Sequence, residues 1–171
     1  MNLTLSRRGD YVIRAALCLA SAYDGRGSYR KIRQIAEVME LPSSYTPQVL
    51  RFLAKAGLAE AKAGREGGYR LTRRPEEISL LEVVEAAEGQ LASERCPMRG
   101  GPCHWDDVCA VHPTWILASE AVRSTLADTT LAQVAETDRV LAAGKTIKAG
   151  PRGHRVPARP RASRKAAAAT R

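Results

Sequence analysis

Three cysteines and one histidine fall close together in this 171-residue chain. Cys96, Cys103, Cys109 and His112 follow one another at the spacing C-x6-C-x5-C-x2-H, and the sequence contains only one further cysteine, Cys18. Thiolates and a neutral imidazole are the donors that proteins offer to zinc and to iron–sulfur clusters. Their concentration in one short segment predicts a metal or cluster site there.

Several kinds of chemistry fit this donor set. An iron–sulfur cluster, a structural zinc site with three cysteines and one histidine, and a thiol–disulfide switch are all compatible with it. Zinc sites usually contain C-x2-4-C pairs, which this segment lacks. Cys109 and His112 could also act as a nucleophile and its base. We nevertheless expect no enzyme, because the sequence contains no phosphate loop and no oxyanion glycine motif.

The net charge of +9 is unevenly distributed along the chain. Residues 1–74 carry 14 basic and 6 acidic side chains, whereas residues 75–144 carry 4 basic and 12 acidic ones. Residues 145–171 carry 9 basic side chains and no acidic one. A basic first half predicts a nucleic-acid partner. The last segment is rich in Gly, Pro, Arg and Ala, which predicts disorder. No apolar run is long enough to span a membrane, so we expect a cytoplasmic protein.

The hydrophobic pattern predicts a mainly helical chain with one small hairpin. Its periodicity predicts helices over 7–23 and 30–40, a third that Ser43 or Ser44 caps and Gly57 ends, and later helices near 79–87, from 113 and from 129 or 130. Strands at 58–62 and 68–72 flank a glycine-rich tip. The fold class is therefore mainly α: a winged helix-turn-helix with a two-stranded wing, followed by a long dimerisation helix.

The third helix and the wing carry the residues that we expect to contact double-stranded DNA. Hydroxyls and amides near a helix start can reach base edges, whereas longer basic side chains reach guanine or phosphates. A basic side chain at a glycine-rich wing tip can insert into the minor groove. The predicted DNA-binding residues are Ser43, Ser44, Thr46, Gln48, Arg51, Lys55 and Arg65.

Several strings of this sequence resemble one family of regulators. They are LT at 3–4, GDYVIR at 9–14, SSY at 43–45, REGGYRL at 65–71, ISLLEV at 78–83 and TLA at 130–132, together with the three-cysteine loop. The chain resembles the IscR/NsrR-type iron–sulfur winged-helix transcription regulators over about residues 1–137. The first cysteine gap is six residues here, where members commonly have five.

The resemblance implies a homodimeric repressor whose [2Fe–2S] or [4Fe–4S] cluster senses redox state, nitric oxide or iron and cluster supply. It implies Cys96, Cys103 and Cys109 as ligands. The fourth is either His112, as in IscR-type members, or Asp10 of the partner subunit, as in NsrR-type members. The expected organisation is a winged helix-turn-helix at 1–88, a cluster loop at 89–112, dimerisation helices at 113–143 and a disordered basic tail at 144–171.

Overall fold

The computed structural model describes residues 4–25, 28–91, 109–144, 147–149 and 154–156. These residues form two compact units, Met1–Val134 and Ala135–Arg171. The helices are α1 Arg7–Ser21, α2 Ile32–Met39, α3 Thr46–Lys55, α4 Leu80–Glu88, α5 His112–Ala127 and α6 Leu131–Ala142. The strands are β1 Ala59–Lys62, β2 Gly68–Leu71, β3 Ile147–Ala149 and β4 His154–Val156. The predicted mainly helical winged fold is confirmed.

The core of the first unit lies where α1, α3 and α4 pack together. Helix α1 contributes a small-residue stripe because Ala15 and Ala16 are fully buried, and this allows the other helices to approach closely. Helix α3 contributes Val49, Leu50 and Leu53, none of which is solvent-exposed. Leu131, the first residue of α6, is also fully buried, and its N–H donates to the Ile78 carbonyl at 2.8 Å.

Helix ends in this unit follow local capping chemistry. Ser79 caps α4 in a capping box: its hydroxyl accepts from the Glu82 N–H, and the Glu82 carboxylate accepts from the Ser79 N–H at 2.8 Å. Gly57 follows α3 with φ of 72°, the left-handed conformation that glycine adopts at low cost. Both ends agree with the sequence prediction.

One helix start was predicted wrongly. The N-cap of α3 is Tyr45, not Ser43 or Ser44, and it makes no side-chain capping bond. Residues 42–45 instead form a turn in which the Pro42 carbonyl accepts from the N–H groups of both Tyr45 and Thr46. The turn satisfies donors that a serine cap would otherwise have to satisfy.

The end of α4 lies against the start of α1. The Glu88 carboxylate accepts from the Ser6 N–H at 3.0 Å and from the Ser6 hydroxyl at 2.6 Å. Gly9 is buried at this point, and a Cβ built on it would lie 2.3 Å from the same carboxylate oxygen. The start of α1 is therefore tied to the helix that precedes the cysteine loop.

The last segment of the chain was predicted to be disordered. The structure describes β3 and β4 there as an antiparallel pair, with Ile147 opposite Val156. Other residues of the segment, apart from Gly144, lie outside the described set. Within the described ranges, no helix combines the length and the apolar character needed to cross a bilayer.

Replacing Leu50 by Ala should lower the free energy of unfolding by about 2–5 kcal/mol, because the side chain is fully buried and its loss leaves a cavity. The matched control is Val38→Ala, a truncation at a side chain that is 66% exposed, which should change stability by less than about 0.5 kcal/mol. Urea denaturation followed by circular dichroism measures both. Equal effects of the two substitutions would contradict this account of the core.

Candidate nucleic-acid interface and cysteine loop

Helix α3 has one buried face and one polar, exposed face. Because Val49, Leu50 and Leu53 are buried, residues on the other side of the helix point to solvent. The exposed residues in and just before α3 include Ser43, Ser44, Gln48, Arg51 and Lys55. Gln48, Arg51 and Lys55 recur at helical spacing, so the structure brings these predicted side chains onto one face.

Thr46 does not belong to that exposed face. It is fully buried, and its hydroxyl donates to the Pro42 carbonyl at 2.9 Å. The hydroxyl therefore stabilises the turn before α3 and is not available to a base edge. The prediction that Thr46 contacts DNA is corrected on this ground.

The wing is a short antiparallel hairpin of β1 and β2. Ala59 pairs with Leu71 and Lys62 pairs with Gly68, so the tip spans residues 63–67. Arg65 is exposed at this tip, as predicted. Gly67 is needed there, because a Cβ on it would lie 2.1 Å from the Lys62 carbonyl oxygen. The tip thus presents the Arg65 cation beside a backbone that is too tight for a side chain at position 67.

The base of the wing is bonded to the segment before α2. The Arg30 N–H donates to the Tyr69 carbonyl at 2.8 Å, and the Tyr69 N–H donates to the Arg30 carbonyl at 2.9 Å. A Cβ on Gly68 would lie 2.3 Å from that Arg30 oxygen, and Gly68 has φ of 149°. Close backbone approach therefore fixes the wing relative to the helix-turn-helix.

A polar network that the sequence analysis missed braces the same junction. Glu60 accepts from the Tyr29 hydroxyl at 2.8 Å and from Arg70 Nε at 2.5 Å. The Arg70 guanidinium lies 4.7 Å from the centre of the Tyr29 ring, and Lys62 Nζ lies 5.7 Å from it. The hydrogen bonds from Tyr29 and Arg70 lower the pKa of Glu60. Only the opposite charges on paired strands could have indicated the Glu60–Arg70 contact.

Arg8 connects α1 to the exposed helix. Its guanidinium carbon lies 5.2 Å from the centre of the Phe52 ring, a cation–π contact between α1 and α3. Its Nε is buried and has no hydrogen-bond partner among the described residues. Arg8 therefore positions α3 through packing.

The structure describes part of the predicted metal-binding set. Cys109 is half-buried with a free thiol, and its carbonyl accepts from the His112 N–H at 3.2 Å. This single turn brings Cys109 and His112 together at the start of α5. Cys96 and Cys103 lie outside the described residues, within which no group of three metal-binding side chains is found.

Asp10, the alternative fourth ligand, already has a local partner. Its Oδ1 accepts from Arg14 Nε at 3.0 Å, one turn along α1, and the same arginine reaches the Met39 carbonyl at 3.4 Å. The Asp10 side chain is 46% exposed. Ligation through the Oδ1 atom of Asp10 would have to replace this ion pair.

The start of the cysteine loop is held between α4 and α5. Glu85 of α4 accepts from the Leu91 N–H at 3.1 Å and from Arg123 of α5 at 2.9 Å. Arg123 also donates to the Leu91 carbonyl at 3.1 Å. This three-membered network, which we term the loop clamp, fixes where the chain leaves α4. No local sequence pattern indicates it, because its members lie up to 38 residues apart.

Helix α5 buries none of its residues. Leu117 is 72% exposed, and Trp115, Ile116, Val122 and Leu126 are only partly covered by the described part of the chain. Because these apolar side chains are exposed, α5 presents a surface that another protein can cover.

Known proteins share this sequence pattern and this architecture. The family model Rrf2, described as an iron-dependent transcriptional regulator, matches residues 5–137. An HTH-type transcriptional regulator of Mycobacterium tuberculosis is 32% identical over 133 residues, which are 78% of this chain and 81% of that protein. IscR of Escherichia coli is 28% identical over 139 residues, covering 81% and 84%. The structure of CymR, the global cysteine regulator of B. subtilis, aligns with a TM-score of 0.64 at 25% identity, covering 80% and 98%.

Cys18 should react with thiol reagents more slowly than Cys109. Burial raises the pKa of the Cys18 thiol, although nearby Arg30 lowers it in part, and only 7% of the residue is exposed. Alkylation of the native metal-free protein with iodoacetamide, followed by mass spectrometry, measures both rates. The denatured protein provides the control, in which the two cysteines should react alike. Faster native labelling of Cys18 would contradict the packing of α1.

Proposed function

Because this chain belongs to the Rrf2 family of transcriptional regulators, whose winged helices bind DNA, we propose that α3 enters the major groove while the wing tip reaches the neighbouring minor groove. The exposed polar face of α3, fixed by the burial of its other face, is the observation that carries this proposal. Ser43, Ser44 and Gln48 would contact base edges. Arg51 suits guanine or phosphate, Lys55 suits phosphate, and Arg65 suits the minor groove.

We propose that two chains form a homodimer through α5. The exposure of Leu117 and the absence of any buried residue in α5 support an apolar surface that a second copy would cover. Two winged helices related by a two-fold axis would read the two halves of a palindromic site. We expect the protein to act in the cytoplasm, the compartment that holds the DNA in the bacteria of its relatives.

The proposed cofactor is a [2Fe–2S] or [4Fe–4S] cluster bound by Cys96, Cys103, Cys109 and His112. The donor chemistry fits, since three thiols and an imidazole suit iron–sulfur clusters, and the turn between Cys109 and His112 supports joint ligation. His112 is preferred over Asp10 because it follows Cys109 closely, within the same turn. A bound cluster would supply a centre that reacts with oxidants and with nitric oxide. Its loading would also fall when iron is scarce.

The residues around the loop provide a connection from the cofactor site to α3. The loop clamp ties the start of the loop to α4 and α5, and Glu88 ties the end of α4 to Ser6 at the start of α1. Arg8, two residues further along, packs on Phe52 of α3. A change in the loop would therefore shift the population of dimers whose recognition helices suit DNA. We expect the DNA-competent form to repress transcription.

The second candidate function is also a DNA-binding regulator, but one in which a thiol–disulfide switch or a zinc site takes the place of the cluster. The free thiol of Cys109 supports it, because a switch needs a reduced, partly accessible cysteine. An enzyme that uses Cys109 and His112 is not supported, since the relatives are named as transcriptional regulators.

Arg51→Ala should weaken binding to the preferred DNA site by about 1–3 kcal/mol, roughly 5- to 150-fold, because a base or phosphate contact is lost. The site is first obtained by selecting bound duplexes from a random pool with the unmodified protein. Arg139→Ala is the matched control, because Arg139 is exposed on α6 and pairs with Glu136. Fluorescence anisotropy measures both affinities. An unchanged affinity for Arg51→Ala would exclude α3 as the recognition helix.

Protein purified without oxygen should contain iron and acid-labile sulfide, and Cys109→Ala should lose both. Cys18→Ala should retain both, because Cys18 lies in the α1 core. Metal analysis and absorption spectroscopy measure the loading. Stoichiometric zinc without sulfide would favour the zinc site, and a metal-free protein with a reversible disulfide would favour the switch. Equal DNA affinity of loaded and metal-free protein would exclude sensing.

A further inference from the structure

An open groove of about 530 Å³ lies between the start of α2 and the wing. Three cations line it: Lys31 immediately before α2, Lys62 at the end of β1, and Arg65 at the tip. All three are exposed to solvent, and none of the described residues that line the groove is acidic. We call this surface the wing groove.

The cations of the wing groove have no carboxylate partner within the described part of the chain. No ion pair there joins Lys31, Lys62 or Arg65 to an acid, and Glu66, which follows Arg65, does not line the groove. Other cations of the same half are neutralised, since five arginines have a carboxylate at salt-bridge distance: Arg14, Arg33, Arg70, Arg73 and Arg74. The wing groove therefore collects charge that an external anion can use.

The Tyr29 ring positions Lys62 without neutralising it. Lys62 Nζ lies 5.7 Å from the centre of this ring, a contact that attracts an ammonium group but removes no charge. Glu60, two residues before Lys62, already accepts from the Tyr29 hydroxyl and from Arg70 Nε. The charge of Lys62 is therefore not matched by its own strand.

The uncharged part of the lining is mostly apolar or lacks a side chain. Ile32, Ala61 and Ala63 contribute aliphatic surface. Gly64 contributes bare backbone, because its φ of 100° disfavours residues with a side chain. Cations beside small apolar surface suit the two alternating parts of a nucleic-acid backbone, which are the phosphate and the sugar.

The two sides of the wing groove are bonded to each other, so the groove exists before any partner binds. The Arg30 and Tyr69 backbones exchange two hydrogen bonds, at 2.8 and 2.9 Å, next to Lys31 on one side and Gly68 on the other. Lys62 is paired with Gly68 across the hairpin. A surface held in this way loses less conformational entropy when it binds a ligand.

We propose that the wing groove binds the sugar–phosphate backbone of duplex DNA, with Lys31 and Lys62 each contacting a phosphate. The inference rests on the proposed function, because it needs the duplex that α3 and the wing tip hold. The bound strand would border the minor groove that Arg65 enters. The two lysines then fix the position of the wing along the duplex, and their contacts carry no sequence information.

The test measures binding of the full-length protein to a duplex with the selected site and to an unrelated duplex of the same length. The lysine variant carries Lys31→Gln and Lys62→Gln. The matched control carries Arg74→Gln and Arg139→Gln, which remove the same charge from two exposed arginines that have carboxylate partners. Fluorescence anisotropy is recorded between about 50 and 200 mM salt, and thermal unfolding checks that each protein is folded.

We expect the slope of log K against log salt to flatten by about 1 for each lysine lost, which is about 2 per chain in the lysine variant. Affinity should fall by the same factor for both duplexes, because phosphate contacts do not distinguish sequences. The control should keep the slope of the unmodified protein. Equal slopes for the lysine variant and the unmodified protein would overturn the inference, and so would an equal loss of slope in the control.

A second measurement locates the contact on the DNA. Single phosphates around the selected site are replaced by neutral methylphosphonates. At the linkage that meets the wing groove, the replacement should weaken binding of the unmodified protein but have little further effect on the lysine variant, since groups in contact are not additive. Additive effects at every linkage would overturn the inference. Lysine-dependent binding of inorganic phosphate with unchanged slopes on duplex DNA would also overturn it and would indicate a small-anion site.

Failure of this inference is separable from failure of the proposed function. If Arg51→Ala leaves binding to the selected site unchanged while the lysine variant loses slope, the assignment of α3 fails and the wing groove still binds the DNA backbone. If Arg51→Ala weakens binding and the slopes coincide, the reverse conclusion holds.

Discussion

The packing of α3 against α1 and α4 is the constraint on which the DNA-reading face depends. Val49, Leu50 and Leu53 are wholly buried, so the helix cannot rotate without exposing them. That requirement holds Gln48, Arg51 and Lys55 together on the solvent side. A recognition surface benefits from such a rigid support. Because the core has already ordered the helix, less conformational entropy is lost when a partner binds. Thr46 contributes to this support by bonding the turn before the helix.

Backbone and polar side-chain contacts add to apolar burial in positioning the wing. Its orientation depends on the paired backbone bonds between Arg30 and Tyr69, and on the absence of a side chain at Gly68. The Tyr29–Glu60–Arg70 network adds directional bonds at the same junction. The wing also shares the core with α3, because Ala59 and Leu71 of its paired strands are buried and the Leu58 N–H donates to the Leu53 carbonyl at 2.9 Å. Both lie in the unit that also contains Cys109 and His112.

The sequence predicts the helices and the wing well, because hydrophobic period, caps and glycine-rich turns are local signals. The face of α3 follows from the same period, and so does the exposure of Gln48 and Arg51. The turn that replaces a serine cap at Tyr45, and with it the burial of Thr46, depends on how the chain turns after Pro42. The loop clamp joins Glu85 to Arg123, which no local pattern can indicate. Cys96 and Cys103 lie outside the described residues, so their role as ligands stays a prediction from spacing and resemblance.

The contact between Gly9 and Glu88 restricts how this protein can diverge. A methyl group at position 9 would overlap a carboxylate oxygen that two bonds from Ser6 hold in place. The carboxylate is the far end of a flexible side chain, so it can turn away from a larger residue at position 9, but it then gives up its bonds to Ser6. A side chain at position 9 would therefore loosen the junction between the first helix and the helix that leads into the cysteine loop.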